Sequence, residues 1–263
     1  MIKKKEFIEK IKFFWEEQAL KFKKDSLATT PDTIAFELEL KELCRRIIPG
    51  SKVLDLGCGN GVKGVELVKK IECDYLGIDY SKEMIKYALE NKKKDSSFLK
   101  GNIRFAEGNI LDANFTKEMD FDFIISMRCL INLGSVENQI RAIKNLWRYL
   151  KKNGTYLMFE NSINALNNIN KVRETFNLSK IEVRWHNIYI DENNFFSKIN
   201  DYFELIEIIN YQSTYFLLSR TLNALLVNNE NIDYLSKLNR YASSLPVFGD
   251  FAPQKLFILK KKI

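Results

Sequence analysis

A single histidine, four prolines and four cysteines are all that the 263 residues contain of those types. Any histidine chemistry must therefore fall on His186. Cys44, Cys58, Cys73 and Cys129 are scattered without CxxC spacing. Neither a zinc site nor a disulfide framework is indicated, and no metal is expected. Such thiols suit a reducing cytoplasm. Long hydrophobic runs are missing too, so no membrane span and no membrane partner are expected. The start, MIKKKEFIEKIKFFW, lacks an uninterrupted apolar core and a small-residue cleavage site, so it does not read as a signal peptide.

What is present fits a soluble α/β domain able to bury a sizeable core: hydrophobic residues make up 46% and charged residues 29%. The formal charge of +7 sits largely in runs such as Lys3 to Lys5, Lys92 to Lys94 and Lys260 to Lys262. These read as solvated helix faces and tails. A nucleic-acid partner is not favoured, because basic residues are not interleaved with aromatics in a recognisable module.

The chain is organised around Lys52 to Gly64, KVLDLGCGNGVKG. Apolar, β-prone Val53 and Leu54 lead through Asp55 and Leu56 to Gly57, Gly59 and Gly61. Val62, Val65, Leu67 and Val68 then fall at helical spacing. The pattern predicts a buried strand, a glycine turn and a helix, the first unit of a doubly wound sheet. Glycine suits a turn that needs positive φ and lets a ligand lie on bare backbone. Two readings compete. Residues 59–64 fit GxGxxG, and Asp79 lies twenty residues past Gly59, as in a dinucleotide-binding NAD-dependent dehydrogenase. Asp55, before the first glycine, would repel a pyrophosphate but suits a ligand carrying an ammonium and a sulfonium.

With Asp55 the stretch resembles the first motif of the class I S-adenosylmethionine-dependent methyltransferases, (V/I)LD(L/V)GCGxG. The resemblance implies that S-adenosylmethionine is the cofactor and that Asp55, Gly57, Cys58, Gly59 and Asn60 surround its methionine end. It implies that Asp79, closing the strand YLGIDY, accepts hydrogen bonds from both ribose hydroxyls. Tyr80 and Met84 would pack on the adenine. Asp79 is equally the neighbour of a helix capped by Ser81, a compatible role. Asn109 stands where the family usually has an acid for the adenine amino group, and its amide oxygen can accept the same bond. Ile110 would cover the ring, and Met127 would close the pocket at the end of the strand FDFIISM. The Pro-Pro-aromatic motif of amide methyltransferases, the Pro-Cys of cytosine-ring enzymes and the acidic ligands of catechol-type enzymes are all missing around Arg128. What remains is metal-independent, in-line transfer to an oxygen, or to an unremarkable nitrogen.

The expected fold is α/β: a Rossmann-like, doubly wound, seven-stranded sheet. Residues 1–48 would form an N-terminal helical lid and 49–160 the cofactor-binding core. Residues 161–263 would complete the domain, with acceptor-binding insertions at 161–201 and 210–254 after the fifth and sixth strands. The first insertion carries EVRWHNIYID, read as a strand alternating through Val183, Trp185 and Asn187. His186 is the economical general base for a hydroxyl, worth about a hundred- to ten-thousand-fold in rate. It is equally readable as a hydrogen-bonded structural residue. Trp185, Asn187 and Tyr189 would line the acceptor pocket, and Arg128 and Arg173 would orient an anionic group. For each arginine a plain surface role competes. The WHN segment, a Ser-Arg helix and a late Leu-Pro resemble bacterial methyltransferases that modify polysaccharides. This implies a small-molecule acceptor, a sugar or phosphoryl-bearing precursor of a capsule or lipopolysaccharide. The rival readings are an RNA or small-molecule N-methyltransferase, the dehydrogenase, and a non-catalytic cofactor-binding regulator.

Overall fold

In the computed structural model, residues 2–227 and 234–262 are described. The expected insertion at 210–254 therefore contains a stretch, 228–233, that lies outside the described residues. Seven strands form one sheet in the order β3-β2-β1-β4-β5-β7-β6. In chain order these are β1 (Ser51–Leu56), β2 (Cys73–Asp79), β3 (Asn102–Glu107), β4 (Phe121–Met127), β5 (Leu150–Asn161), β6 (Phe203–Ile209) and β7 (Gln254–Lys261). The first five run parallel, and β7 is antiparallel to both β5 and β6. The order reverses between β1 and β4, which opens a crevice at the carboxyl ends of those strands.

Apolar strands such as VL-L in β1 and FIIS in β4 are buried because both faces of the sheet are covered. On one face α2 (Thr33–Arg46), α3 (Val62–Lys70) and α4 (Lys82–Lys94) pack Leu40, Leu43, Val65, Val68 and Ile85 onto Val53, Tyr75 and Ile125. On the other, α5 (Val136–Trp147) and α7 (Glu192–Ile199) bring Ile143, Leu146 and Phe195 onto Leu54, Ile124 and Tyr156. Helix starts follow their caps. Asp32, Ser81 and Ser135 each accept a backbone N–H two or three residues into the helix, at 2.9, 3.1 and 3.2 Å.

The N-terminal helix α1 (Ile2–Phe22) crosses the crevice. Its Glu16 carboxylate accepts from the free N–H groups of Lys82 and Glu83 at the start of α4, at 3.2 and 3.3 Å. One expectation for the insertions changes. Residues 183–187 form no strand: the open side of β5 is already paired with β7, so this segment bonds instead to the turn at 130–132, Ile188 N–H to Ile131 O at 2.7 Å. The Ser-Arg helix of the second insertion stops at Arg220 and a separate helix follows, giving α8 (Ser213–Arg220) and α9 (Leu222–Val227). There Arg173 donates to the Arg220 carbonyl, which takes that acceptor away from a continuing helix, and the Thr221 hydroxyl joins its own N–H on the Leu217 carbonyl. The remaining helices are α6 (Ile163–Thr175) and α10 (Lys237–Ser244).

Candidate active site

A cavity of about 920 Å³, part of it open to solvent, occupies the crevice. Its floor is the glycine turn between β1 and α3. Gly57, Gly59 and Gly61 all have positive φ (69°, 56° and 73°), a backbone that a side chain would strain. A Cβ on Gly57 would lie 2.7 Å from Cys129 Sγ, so the close approach also demands glycine. The turn is tied to β2 by Gly57 and Cys58 N–H groups donating to Ile78 O at 2.8 and 3.1 Å.

Two buried carboxylates face this cavity. Asp79 accepts from Gly59 N–H and Ser81 N–H, both at 2.9 Å, which joins the glycine turn to the cap of α4. Asp55 accepts from the Tyr75 hydroxyl. Burial pushes Asp55 up to about 7, against the Tyr75 hydrogen bond, with Asp79 adding to the rise. Burial likewise lifts Asp79 to about 6, opposed by its backbone donors. A ligand with positive charge next to both would restore their ionisation. Cys58, Tyr80, Met84, Asn109, Ile110 and Met127 complete the walls. Asn109 Oδ1 also accepts from Leu111 N–H at 3.0 Å, which shapes the loop after β3.

Asn60 departs from expectation. Its amide turns away from the cavity and donates to Lys23 O and Asp25 O at 2.9 and 2.7 Å, fastening the segment after α1. Arg128 is a wall residue with φ of 52°, a left-handed backbone held by its N–H donating to Phe159 O at 2.8 Å. Its guanidinium is already engaged by Glu39, by Gln254 Oε1 at 2.8 Å and by Thr30 Oγ1 at 2.6 Å. Lys63, also a wall residue, pairs with the same fully buried Glu39. Burial lowers the pKa of Lys63 well below its ordinary range, with Arg128 adding to the effect.

His186 is not in the wall. It is 3% exposed and stacks on Phe14 at 4.6 Å, and its Nδ1 lies 2.8 Å from Asn132 Oδ1. Asn132 lines the cavity, and the same oxygen accepts from Trp15 Nε1 at 3.2 Å. An oxygen that only accepts assigns the ring proton to Nδ1. Burial, with Arg184 nearby, depresses the imidazole to about 4, so it is neutral and a poor base. The expected general base therefore stands behind Asn132 rather than at the acceptor. Arg173, Trp185, Asn187 and Tyr189 also stay out of the cavity. Arg173 is spent on the carbonyls of Ser179 and Arg220, and Trp185 packs against Phe7 and Phe14 of α1. For Trp185 the cause is the missing strand at 183–187, which leaves this residue packed against α1.

Sequence reading passed over Trp15, Lys63 and Asn132 as wall residues, and Glu39 and Glu160 behind it. Glu160 is fully buried and accepts from the N–H groups of Cys129 and Leu130 at 3.0 and 2.9 Å, capping the turn after β4. A signal existed for Glu39: it falls on the apolar stripe of Phe36, Leu40, Leu43 and Ile47, where an acid requires a partner.

A sheet of this order, an acid before the glycine turn and a second acid closing β2 define a class I methyltransferase. The methyltransferase-domain family matches residues 47–216, and the chain belongs to that family. S-adenosylmethionine is its cofactor. Phosphoethanolamine N-methyltransferase 3 of Arabidopsis thaliana is 28% identical over 110 residues, covering 42% of this chain and 21% of that protein. Carboxy-S-adenosyl-L-methionine synthase of Staphylococcus epidermidis is 27% identical over 112 residues, 42% of this chain and 45% of that protein. The match thus spans less than half the length of either curated relative. Among solved structures, a TehB-like S-adenosylmethionine-dependent methyltransferase from Corynebacterium glutamicum superposes with a TM-score of 0.52 at 19% identity, covering 86% and 88% of the two chains. The N-methyltransferase NodS from Bradyrhizobium japonicum, in complex with S-adenosylhomocysteine, gives 0.55 at 14% identity over 94% and 98%.

Proposed function

We propose that this enzyme methylates an oxygen of a small polar acceptor, without a metal. When bound, S-adenosylmethionine supplies a methyl group activated by the sulfonium. In this reading Asp55 faces the ammonium and sulfonium end and Asp79 the ribose. Tyr80, Met84, Asn109 and Ile110 enclose the adenine, with Gly57, Cys58, Gly59 and Met127 forming the bed. Trp15 and the rest of α1 exclude water, so that an acceptor oxygen is aligned opposite sulfur at near-attack distance.

The observation that carries the oxygen reading is the charge of the wall at the Arg128 end. The carboxylates that line the cavity, Asp55 and Asp79, are taken by the cofactor in this reading. The other charged wall residues, Lys63 and Arg128, are basic and share a single carboxylate, Glu39. An ammonium acceptor would meet positive side chains there and no free acid. The polysaccharide-precursor role rests on the sequence layout after residue 160.

The test is transfer of labelled methyl from S-adenosylmethionine to a panel of sugars, sugar phosphates and amines, with the methylated atom located by NMR. Methyl on a hydroxyl or phosphoryl oxygen supports the reading. Methyl found solely on amine nitrogen overturns it.

A further inference from the structure

One glycine of the GxGxxG pattern has no part in the cavity wall. Gly64 closes that pattern, yet it is buried inside α3, where glycine weakens a helix. What it makes room for is Tyr75 of β2. A Cβ at Gly64 would fall 2.5 Å from both Cζ and the hydroxyl oxygen of that phenol, and 2.8 Å from Cε1. The ring has little freedom to step aside, being 1% exposed and edge-on to Phe105 with centroids 6.0 Å apart. The hydroxyl admitted in this way donates to Asp55 Oδ2.

Strand register explains the reach. β1 and β2 run parallel, with Val53 opposite Tyr75 and Asp55 opposite Gly77. Val53 and Tyr75 pack on the sheet face that α3 covers with Val65 and Val68. Side chains two residues apart share a face, so Asp55 points to that face as well. The phenol therefore runs one pair along the strands, under Gly64, to meet the carboxylate. The two cavity acids are supported differently. Asp79 accepts from two backbone N–H groups, whereas the phenol is the one donor bonded to the Asp55 carboxylate among the described residues. We propose that Tyr75 positions Asp55 for the cofactor: its hydroxyl holds Oδ2 from outside the cavity, which leaves Oδ1 to the ligand's ammonium, and Gly64 is the opening in α3 that admits it. This rests on Asp55 facing the ammonium, as read above, and adds the group that sets it.

A hydrogen bond donated to a buried carboxylate favours its charged form. At Asp55 it opposes the rise caused by burial and by Asp79, leaving the group at about 7. The groups facing Asp55 are Tyr75 and Asp79 of β2, Cys58 of the glycine turn and Cys129 after β4. Lys63 and Arg128 are the cations of the same wall. Burial holds both thiols and the phenol protonated well above neutrality. Asp79, raised to about 6, and Lys63, lowered by burial, are present in every variant below. A change confined to loss of the phenol therefore belongs to Asp55. Without that donor Asp55 rises further and stays protonated to higher pH. A rise of about one unit would cut its ionised fraction at pH 7 about fivefold.

The test is calorimetry with S-adenosylhomocysteine between about pH 6 and 8.5, on the full chain unaltered and as Tyr75→Phe, Gly64→Ala and Asp55→Asn. Tyr75→Phe keeps the ring and removes only the hydroxyl. Its affinity should be about fivefold weaker at pH 7, and the pH at which affinity levels should move up by about one unit. Asp55→Asn should lose about tenfold or more at every pH. Gly64→Ala pushes the phenol off Asp55, so it should follow Tyr75→Phe, and it decides if Tyr75→Phe fails to fold. Native affinity and pH dependence in Tyr75→Phe, beside a weakened Asp55→Asn, would overturn the role of Tyr75 and leave Asp55 in place. An equal loss at all pH values, with the levelling point unmoved, would reduce the phenol to packing and overturn it too. Full affinity in Asp55→Asn would sink the placing of Asp55 at the ammonium, and the role of Tyr75 with it.

Discussion

The two ends of the crevice are built in opposite ways. Most of the cofactor half comes from one stretch of chain: Asp55, the glycine turn, Asp79 and Met84 lie within thirty residues and are joined by local bonds such as Gly59 N–H to Asp79. Asn109, Ile110 and Met127 are added from just after β3 and the end of β4. The acceptor half is assembled from Glu39, Arg128, Asn161, Gln212 and Gln254, which meet only in the folded sheet. The first half presents carboxylates lifted towards neutrality by burial, ready for a cationic ligand. The second presents two cations that share one carboxylate, beside buried amides with unused hydrogen-bonding atoms. One half is specified by a motif and the other by topology, so each should respond to mutation without the other.

The largest effect is expected at Glu39, which holds Lys63 and Arg128 together. Glu39→Gln leaves two buried cations facing a neutral amide and should cost about 3–5 kcal/mol of folding stability, read by denaturant titration. A loss below about 1 kcal/mol would mean that the two halves are not braced there. Next comes Asp79→Ala. It removes the acceptor for Gly59 and Ser81 N–H and the carboxylate facing the cavity. With each charge-assisted bond worth about 1.5–3 kcal/mol, S-adenosylhomocysteine affinity should fall a hundredfold or more by calorimetry.

His186→Ala sharpens the comparison from the other side. Its ring braces Asn132 and α1, so about 1–3 kcal/mol of stability should be lost. Turnover should fall through a looser lid, while the pH–rate profile keeps its shape. Disappearance of one limb of that profile would return His186 to the role of general base. The smallest effect is in pH. Asp55 and Asp79, raised to about 7 and 6, bind protons that weaken a cationic ligand, so affinity for S-adenosylmethionine should rise from pH 6 to 8 and then level. The ligand-free protein should do the reverse. Folded carboxylates with raised pKa hold protons that the unfolded chain has lost, so stability falls as pH rises from about 6.5 to 8, with Glu160, raised to about 7, contributing. His186 works against this only below its unfolded value of 6.5, where the unfolded chain binds the extra proton. Thermal midpoints measured across that range, with and without ligand, should therefore diverge.

Local pattern explains what could be read from the sequence. The strand, glycine turn and capped helix at 51–70 and the acid closing β2 are short-range features, and so is the seven-stranded layout. Asn60 shows the limit even there, because whether its amide faces the ligand or the segment after α1 depends on where α1 crosses. The stretch at 183–187 alternates like a strand but has no free edge to join. His186 was legible as unusual but not as buried, since Phe14 and Trp15 reach it across some 170 residues of chain. Arg128 looked like an anion clamp because its carboxylate partner, Glu39, lies 89 residues earlier, on α2.

Calorimetry with S-adenosylhomocysteine on the unaltered protein, Asp79→Ala and Gln254→Leu tests the division between the halves most directly. The account predicts tight binding by the first, loss in the second and unchanged affinity in the third. Equal loss in both variants would show one cooperative site, and would contradict the separation of cofactor and acceptor halves.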